Sequence, residues 1–237
     1  MGRQSTARRV TRYRIEGQTL IIDLGARRRV LSSAPRGGGL GRARYILNHQ
    51  VRANPNGAPR GGPSRPLGDP ARYLGRVAKG LRLRQDCVAL MTAVSLEQVV
   101  VCRQQRAGIW VKGFFTVGVS NAVRAGEPAT DSASKSVRAD LGTINIILVT
   151  NARLPISAMV GAVQVATESK TAVLLAKRVP SWTGQARATG TGTDAVVVAC
   201  GAGHSGPSLR YSGTHTRLGS MIGRVVSRGV ALGLSKA

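Results

Sequence analysis

Four short stretches concentrate glycine and small polar side chains against the ends of predicted strands, where a purely structural chain has little use for so many hydrogen-bonding groups. The first is Gly118-Val119-Ser120-Asn121-Ala122-Val123-Arg124-Ala125-Gly126. Ser120 can serve as a nucleophile or a hydrogen-bond donor, or it forms an ordinary turn with Asn121 by bonding nearby backbone. The second is Gly142-Thr143-Ile144-Asn145, with Thr150-Asn151 at the far end of the same apolar run. A buried Asn must find partners, so Asn145 either orients a substrate amide or staples two backbones together. The third is Ala188-Thr189-Gly190-Thr191-Gly192-Thr193-Asp194. Its glycines suit a phosphate cradle, but it lacks the Gly-Lys-Ser/Thr ending of a P-loop and precedes a strand instead of a helix. Asp194 is then a base, an orienting group, a metal ligand or part of a plain strand-entry turn. The fourth is Tyr211-Ser212-Gly213-Thr214-His215-Thr216, at the start of a predicted helix. The positive end of that helix disfavours imidazolium, which leaves His215 neutral and able to accept a proton.

Other acid–base candidates are sparse. Glu168 falls on one helical face with Gly161, Val165 and Ala172, so it is either a functional carboxylate packed among small residues or a solvated one. His49 in Asn48-His49-Gln50-Val51 is the second histidine candidate, while His204 stands in a Gly/Ser loop with nothing to recommend it. No two histidines lie at i, i+4, and Cys87, Cys102 and Cys200 form no Cys-x-x-Cys pair. Neither a structural zinc site nor a disulfide framework is indicated. The expectation is that no protein-bound metal and no cofactor is required.

The elements that must position these residues follow from periodicity. Thr19 to Leu24 and Arg28 to Ser32 read as a hairpin turning at Gly25, after residues 1–16, an Arg-rich lead-in. Residues 53–70 hold five prolines and form a surface loop. A helix opens at Pro70 with Asp69 as its cap and runs to about Gly80. Strands follow at Cys87 to Thr92, Glu97 to Arg103 and Ile109 to Val117, then a polar loop at 126–140 and a strand at Thr143 to Thr150 buried on both faces. A helix from Ser157 to Ala176, a strand from Ala195 to Cys200, a short edge strand at Leu209 to Tyr211 and a helix over 216–232 complete the chain. Hairpins in the first half and βα units in the second predict an α+β fold, a single domain over 17–237 with helices packed on a mixed sheet.

Composition bounds the function classes. The 237 residues are 42% hydrophobic and 19% charged, which suits a folded globular domain, and no apolar run is long enough to span a bilayer. A cytoplasmic protein without membrane association is expected. The 35 basic residues against 10 acidic ones give a net charge of +25, yet the excess is dispersed and only 3% of residues are aromatic. Stacking platforms for nucleic acid are therefore poorly supplied, and no specific nucleic-acid partner is expected. Composition leaves homo-oligomerisation open.

Taken in order, these stretches resemble the adenosylcobinamide amidohydrolase family of prokaryotic corrinoid salvage. The resemblance rests on Leu31-Ser32-Ser33-Ala34-Pro35, Asn48 to Val51, Leu90 to Val94, Gly118 to Gly126, Gly142 to Leu154, Ala166 to Ala172, Ala188 to Val198 and Gly213 to Gly219. It implies hydrolysis of the amide of adenosylcobinamide to adenosylcobyric acid and aminopropanol, with cobalt carried by the corrin substrate. Residue chemistry within these blocks offers His215 or His49 as base and Glu168 or Asp194 to orient it or supply a proton. Ser120, Asn121 and Asn145 would hold the amide, with Ser120 or Thr143 as a rival nucleophile. Asn151, Thr191 and Thr193, with Thr143, would meet the amides at the corrin periphery. The competing class is a non-catalytic corrinoid binder or a basic nucleic-acid-binding protein on the same scaffold.

Overall fold

The computed structural model describes residues 11–51, 68–83, 87–128, 142–184, 187–202 and 206–236. Residues 1–10 of the expected lead-in, most of the Pro/Gly-rich segment, 129–140 of the polar loop and His204 lie outside the described residues. In chain order the elements are β1 (Arg12–Glu16), β2 (Thr19–Ser32), β3 (Gly39–Gln50), α1 (Pro70–Gly80) and β4 (Cys87–Thr92). A 3-10 turn at Leu96–Gln98 leads into β5 (Val100–Arg106), β6 (Ile109–Val117), β7 (Ala122–Val123) and β8 (Ile144–Thr150). The chain ends with α2 (Ile156–Ala176), β9 (Gly190–Thr191), β10 (Ala195–Ala199) and α3 (Arg217–Leu234).

Eight strands form one mixed sheet in the order β4-β3-β2-β10-β8-β6-β5, with β1 added to β2, and β7 pairs with β9 separately. β10 runs parallel to β8 and β3 parallel to β4, while the other pairings are antiparallel. With the helices packed on its outer faces, this is the expected α+β class.

β2 differs from its expectation. The hairpin at Gly25 is not made; the strand continues through a register shift between Asp23 and Arg28, with Gly25 at φ 75°. A bulge of this kind bends a strand and increases its twist. The first part of β2 pairs with β1 and the last part with β10, so one strand joins two wings of the sheet. The wings face each other: Leu20, Ile22, Ile46 and Leu90 share a core with Phe114, Ile147 and Val197. Tyr13 of β1 meets the Phe114 ring edge-on at 5.2 Å. Residues 12–16, expected in the lead-in, are thus ordered as a strand covering this core.

β8 explains the layering. Ile144, Ile146 and Leu148 point to α2 and α3, while Ile147 and Val149 point to the core between the wings. All seven of its residues are buried. Each such aliphatic side chain contributes about 1.5–3 kcal/mol by leaving water. α1 covers the outer face of the other wing at Ile21, Leu47 and Ala89. As predicted, Pro70 opens this helix, and Asp69 accepts from the Ala71 N–H at 2.9 Å.

α3 lies close along β6 because its glycines permit it. A Cβ at Gly229 would come within 2.3 Å of Phe115, and one at Gly233 within 2.5 Å of Val117. Gly113 faces Val225 in the same way. Since Val117 pairs with Ile144 and Val111 with Thr150, the amino end of α3 lies toward the Thr150 end of β8. β3 was not foreseen, because Gly39, Gly41, Arg42 and Arg44 break up the apolar alternation of its first half. The expected edge strand at Leu209 to Tyr211 is replaced by a single bridge between Arg153 and Ser208.

Candidate active site

The amino ends of β8 and β10 gather most of the polar stretches. β7 and β9 pair Ala122 with Thr191 and Val123 with Gly190, which brings the Ser120 loop beside the Gly-rich stretch before β10. Asp194 is the centre. Its Oδ1 accepts from the Ile144 N–H at 3.0 Å and the Thr191 hydroxyl at 2.6 Å, and its Oδ2 accepts from the Thr191 N–H at 3.0 Å. The Lys170 ammonium of α2 donates to Oδ2 as well. An ionised carboxylate has about four lone-pair sites, so Asp194 is saturated. It orients its neighbours and has no free site from which to act as a base.

Lys170 was missed by the sequence reading, which looked to Glu168. The signal was present: Lys170 stands in the i+4 row of Ala158, Ala162, Ala166 and Leu174, all buried. Glu168 faces away and is exposed, so its expected packing among small residues is not observed. Burying an ammonium is costly unless it is paired, and Asp194 meets that need. Gly190 makes the pairing possible, since a Cβ there would lie 2.6 Å from Asp194 Oδ2 and 2.7 Å from Lys170 Nζ.

The surrounding hydroxyls are engaged with backbone. Thr143 donates to the Thr193 carbonyl at 2.9 Å, and Thr193 donates to the Gly142 carbonyl at 3.2 Å. Gly142 in turn abuts Asn121, because a Cβ at Gly142 would sit 2.6 Å from Asn121 Oδ1. That oxygen is buried with no hydrogen-bond donor among the described residues. Ser120, beside it, is exposed. Glu127 closes the same loop by accepting from the Ser181 hydroxyl at 2.6 Å and the Thr183 hydroxyl at 3.1 Å. The Ser181 hydrogen bond leads the contacts that hold its carboxyl below the usual range.

Just inside this edge, Asn145 donates to Asn48 Oδ1 at 2.9 Å and to the Met91 carbonyl at 2.7 Å, and Asn48 donates to the Thr116 hydroxyl at 3.0 Å. Asn48 and Asn145 are each 1% exposed. Through these hydrogen bonds Asn145 and Asn48 link the two wings.

The histidines do not join this group. His49 follows Asn48 on the opposite face of β3, where its ring bridges the Thr19 hydroxyl at 2.8 Å and the Tyr73 hydroxyl of α1 at 3.0 Å. Burial pushes its pKa below the ordinary value. His215 is exposed just before the Thr216 cap of α3. Its neighbour Ser212 donates to the Ala158 carbonyl, which places this loop by the first turns of α2. That is the Thr150 end of β8, about 20 Å from Asp194 at the rise of an extended strand. Asn151 is at the same far end and both ends of its amide are used: Oδ1 accepts from the Trp110 N–H and Nδ2 donates to the Gly108 carbonyl, each at 2.8 Å. It pins the β5–β6 turn. The structure thus brings together Ser120, Asn121, Thr143, Asn145, Thr191, Thr193 and Asp194, and separates them from His49, His215, Glu168 and Asn151. Among the described residues no three His, Cys, Asp or Glu side chains approach closely enough to hold a metal ion. No helix among them is long and apolar enough to cross a membrane.

A mixed-sheet α+β domain with a buried Lys–Asp pair in a wall of threonine, asparagine and glycine is the frame that comparison with known proteins fills in. Residues 3–237 match the sequence pattern of the adenosylcobinamide amidohydrolase family, and the chain belongs to that family. It is 34% identical over 233 residues to an adenosylcobinamide amidohydrolase of Methanosarcina mazei, covering 94% of this chain and 96% of that one. A protein of Methanocaldococcus jannaschii described as uncharacterized is 31% identical over 240 residues, covering 93% and 87%. An adenosylcobinamide amidohydrolase of Halobacterium salinarum is 34% identical over 144 residues, covering 60% and 56%.

Proposed function

We propose that the protein hydrolyses the amide that joins adenosylcobyric acid to aminopropanol in adenosylcobinamide, returning the ring to coenzyme B12 assembly in the cytoplasm. Water adds its oxygen to the carbonyl carbon, the C–N bond breaks, and the departing nitrogen takes a proton. Family membership supports the substrate class. The observation that carries this reading is the unsatisfied Asn121 Oδ1, which abuts Gly142 on the strand-end wall that also holds the Lys170–Asp194 pair. A buried acceptor without a donor is rare in a folded protein and calls for an explanation. A secondary amide supplies the missing N–H, and the ammonium of Lys170 supplies positive charge for the tetrahedral oxyanion and a proton for the amine.

In this reading Asp194 is a positioning residue, which holds Lys170 and Thr191 in place. Ser120, exposed at the loop tip, is the nucleophile or the group that orients the attacking water. The corrin lies across the open edge, where Thr193 and Gly192 are exposed, and its cobalt enters as part of the substrate.

The test is incubation of the purified protein with adenosylcobinamide, followed by mass spectrometry for adenosylcobyric acid and free aminopropanol. Turnover that is lost in Lys170→Met and Asn121→Leu, with the fold retained by circular dichroism, supports both reaction and site. Corrinoid binding without release of amine would replace the enzyme by a binding protein.

A further inference from the structure

At the edge of the sheet opposite Asp194, the parallel strands β8 and β10 end side by side. The crevice beyond the carboxyl ends of neighbouring parallel strands is a common place for ligands in α/β sheets. Here it is a cleft of about 180 Å³ lined by Arg29, Arg42, Arg153, Leu154, Cys200, Gly201 and Ala202. Three arginines from three different segments line it, and none of its described lining residues is acidic.

Arg29 and Arg42 are direct partners across the β2–β3 ladder. Like charges in that position repel and destabilise the pairing. The fold nonetheless holds them there: Arg29 Nη1 donates to the Leu154 carbonyl at 3.2 Å, which draws its side chain from β2 toward the β8–α2 connection. Backbone hydrogen bonds from Arg153 to Pro207 at 2.8 Å and from Leu209 to Arg153 at 3.0 Å fix the third arginine's segment. Elsewhere on the same strands Arg44 has Asp23 as an ion-pair partner, whereas no carboxylate is among the described residues that line the cleft. α2 begins just beyond Leu154, with Pro155 at its cap and no acidic residue in its first turn, so the positive end of a 21-residue helix adds to the field.

We infer that this cleft binds a dianionic oxyanion: phosphate, or the phosphoryl group of a small molecule. The planar fork of arginine matches phosphate oxygens, and a dianion between Arg29 and Arg42 converts their repulsion into shared attraction. The site is distinct from the amide-cleaving cluster, about 20 Å away along β8, and does not depend on that reading being right.

The experiment is thermal unfolding of the full chain while inorganic phosphate is titrated against chloride at constant ionic strength. A site predicts a rise in Tm that grows with the logarithm of phosphate concentration above the dissociation constant, about 4 °C at ten times that constant. Arg42→Gln abolishes that rise and, without phosphate, melts no lower than the parent because the cross-strand repulsion is gone. Arg72→Gln, an exposed substitution on α1 that removes the same charge, keeps the rise. Calorimetric titration of phosphate into the parent protein gives the same answer if the Arg42 variant does not fold. Methyl phosphate at the same concentrations separates the sources: an equal rise points to a phosphoryl group on a carrier, and a response to inorganic phosphate alone points to the free ion. No such logarithmic rise in the parent, or an equal rise in Arg42→Gln, overturns the proposal.

Discussion

Lys170 of α2 and Asp194 at the entry to β10 form an ion pair over Gly190, and the other donors to the Asp194 carboxylate among the described residues are Ile144, first in β8, and Thr191 of β9. One carboxylate therefore ties a helix to the edges of two sheets. Gly190→Ala would force its Cβ into both charged groups. A loss of roughly 1–3 kcal/mol of stability is expected, as for other overpacked sites, measured by urea unfolding, together with a marked fall in amide hydrolysis.

Breaking the pair from one side should be worse than removing it. Asp194→Asn or Lys170→Met alone leaves a mostly buried group without its counter-charge, at a cost of about 3 kcal/mol. The double variant should recover a good part of that stability while remaining inactive. A double-mutant cycle of unfolding free energies checks this, and additive single effects would contradict the pairing.

The asparagine chain predicts a different signature. Asn145→Ala strips donors from Asn48 Oδ1 and the Met91 carbonyl, costing about 1–3 kcal/mol for each acceptor left bare. If Asn145 staples the wings, stability falls and the KM of the residual folded enzyme changes little. A large KM increase at unchanged stability would return it to the substrate-contact role.

His49 should make stability depend on pH. Its folded pKa is depressed by burial, so between the unfolded value near 6.5 and the lower folded value the unfolded chain binds more protons. Its contribution is complete above that unfolded value and is lost as pH falls through the window. Denaturation midpoints from pH 7.5 down to 5 should decline in the parent and flatten in His49→Asn.

The two ends of β8 give a direct contest over the base. His215→Ala should retain amide hydrolysis within a few fold, since His215 lies a strand's length from Asp194, whereas Asp194→Asn should not. Comparing kcat/KM of the two folded variants on adenosylcobinamide decides it.

Sequence and structure agree where a local signal is unopposed. Asp69-Pro70 opens α1, the continuous apolar run of Ile144–Thr150 gives a strand buried on both faces, and the i, i+3, i+4 row of Leu218, Met221 and Ile222 gives α3. Each is decided by neighbours within a turn or two. β3 was illegible because its glycines and arginines break the alternation, and it forms by pairing with β2 on one side and β4 on the other. The supposed Gly25 turn went the other way for the same reason: ten register pairs with β3 carry the chain past it as a bulge.

The residue types at the candidate site were determined by the sequence alone: glycine, threonine, asparagine and one aspartate crowded at strand ends, with family membership legible in the same blocks. Their grouping was a tertiary matter. Residue chemistry offered Asp194 as a partner for His215, yet the direction of α3 along β6 sends them to opposite ends of β8. Lys170 became a partner of Asp194 only because α2 crosses the amino end of β10 with its alanine row inward, where a buried ammonium requires a carboxylate and a glycine leaves room for both.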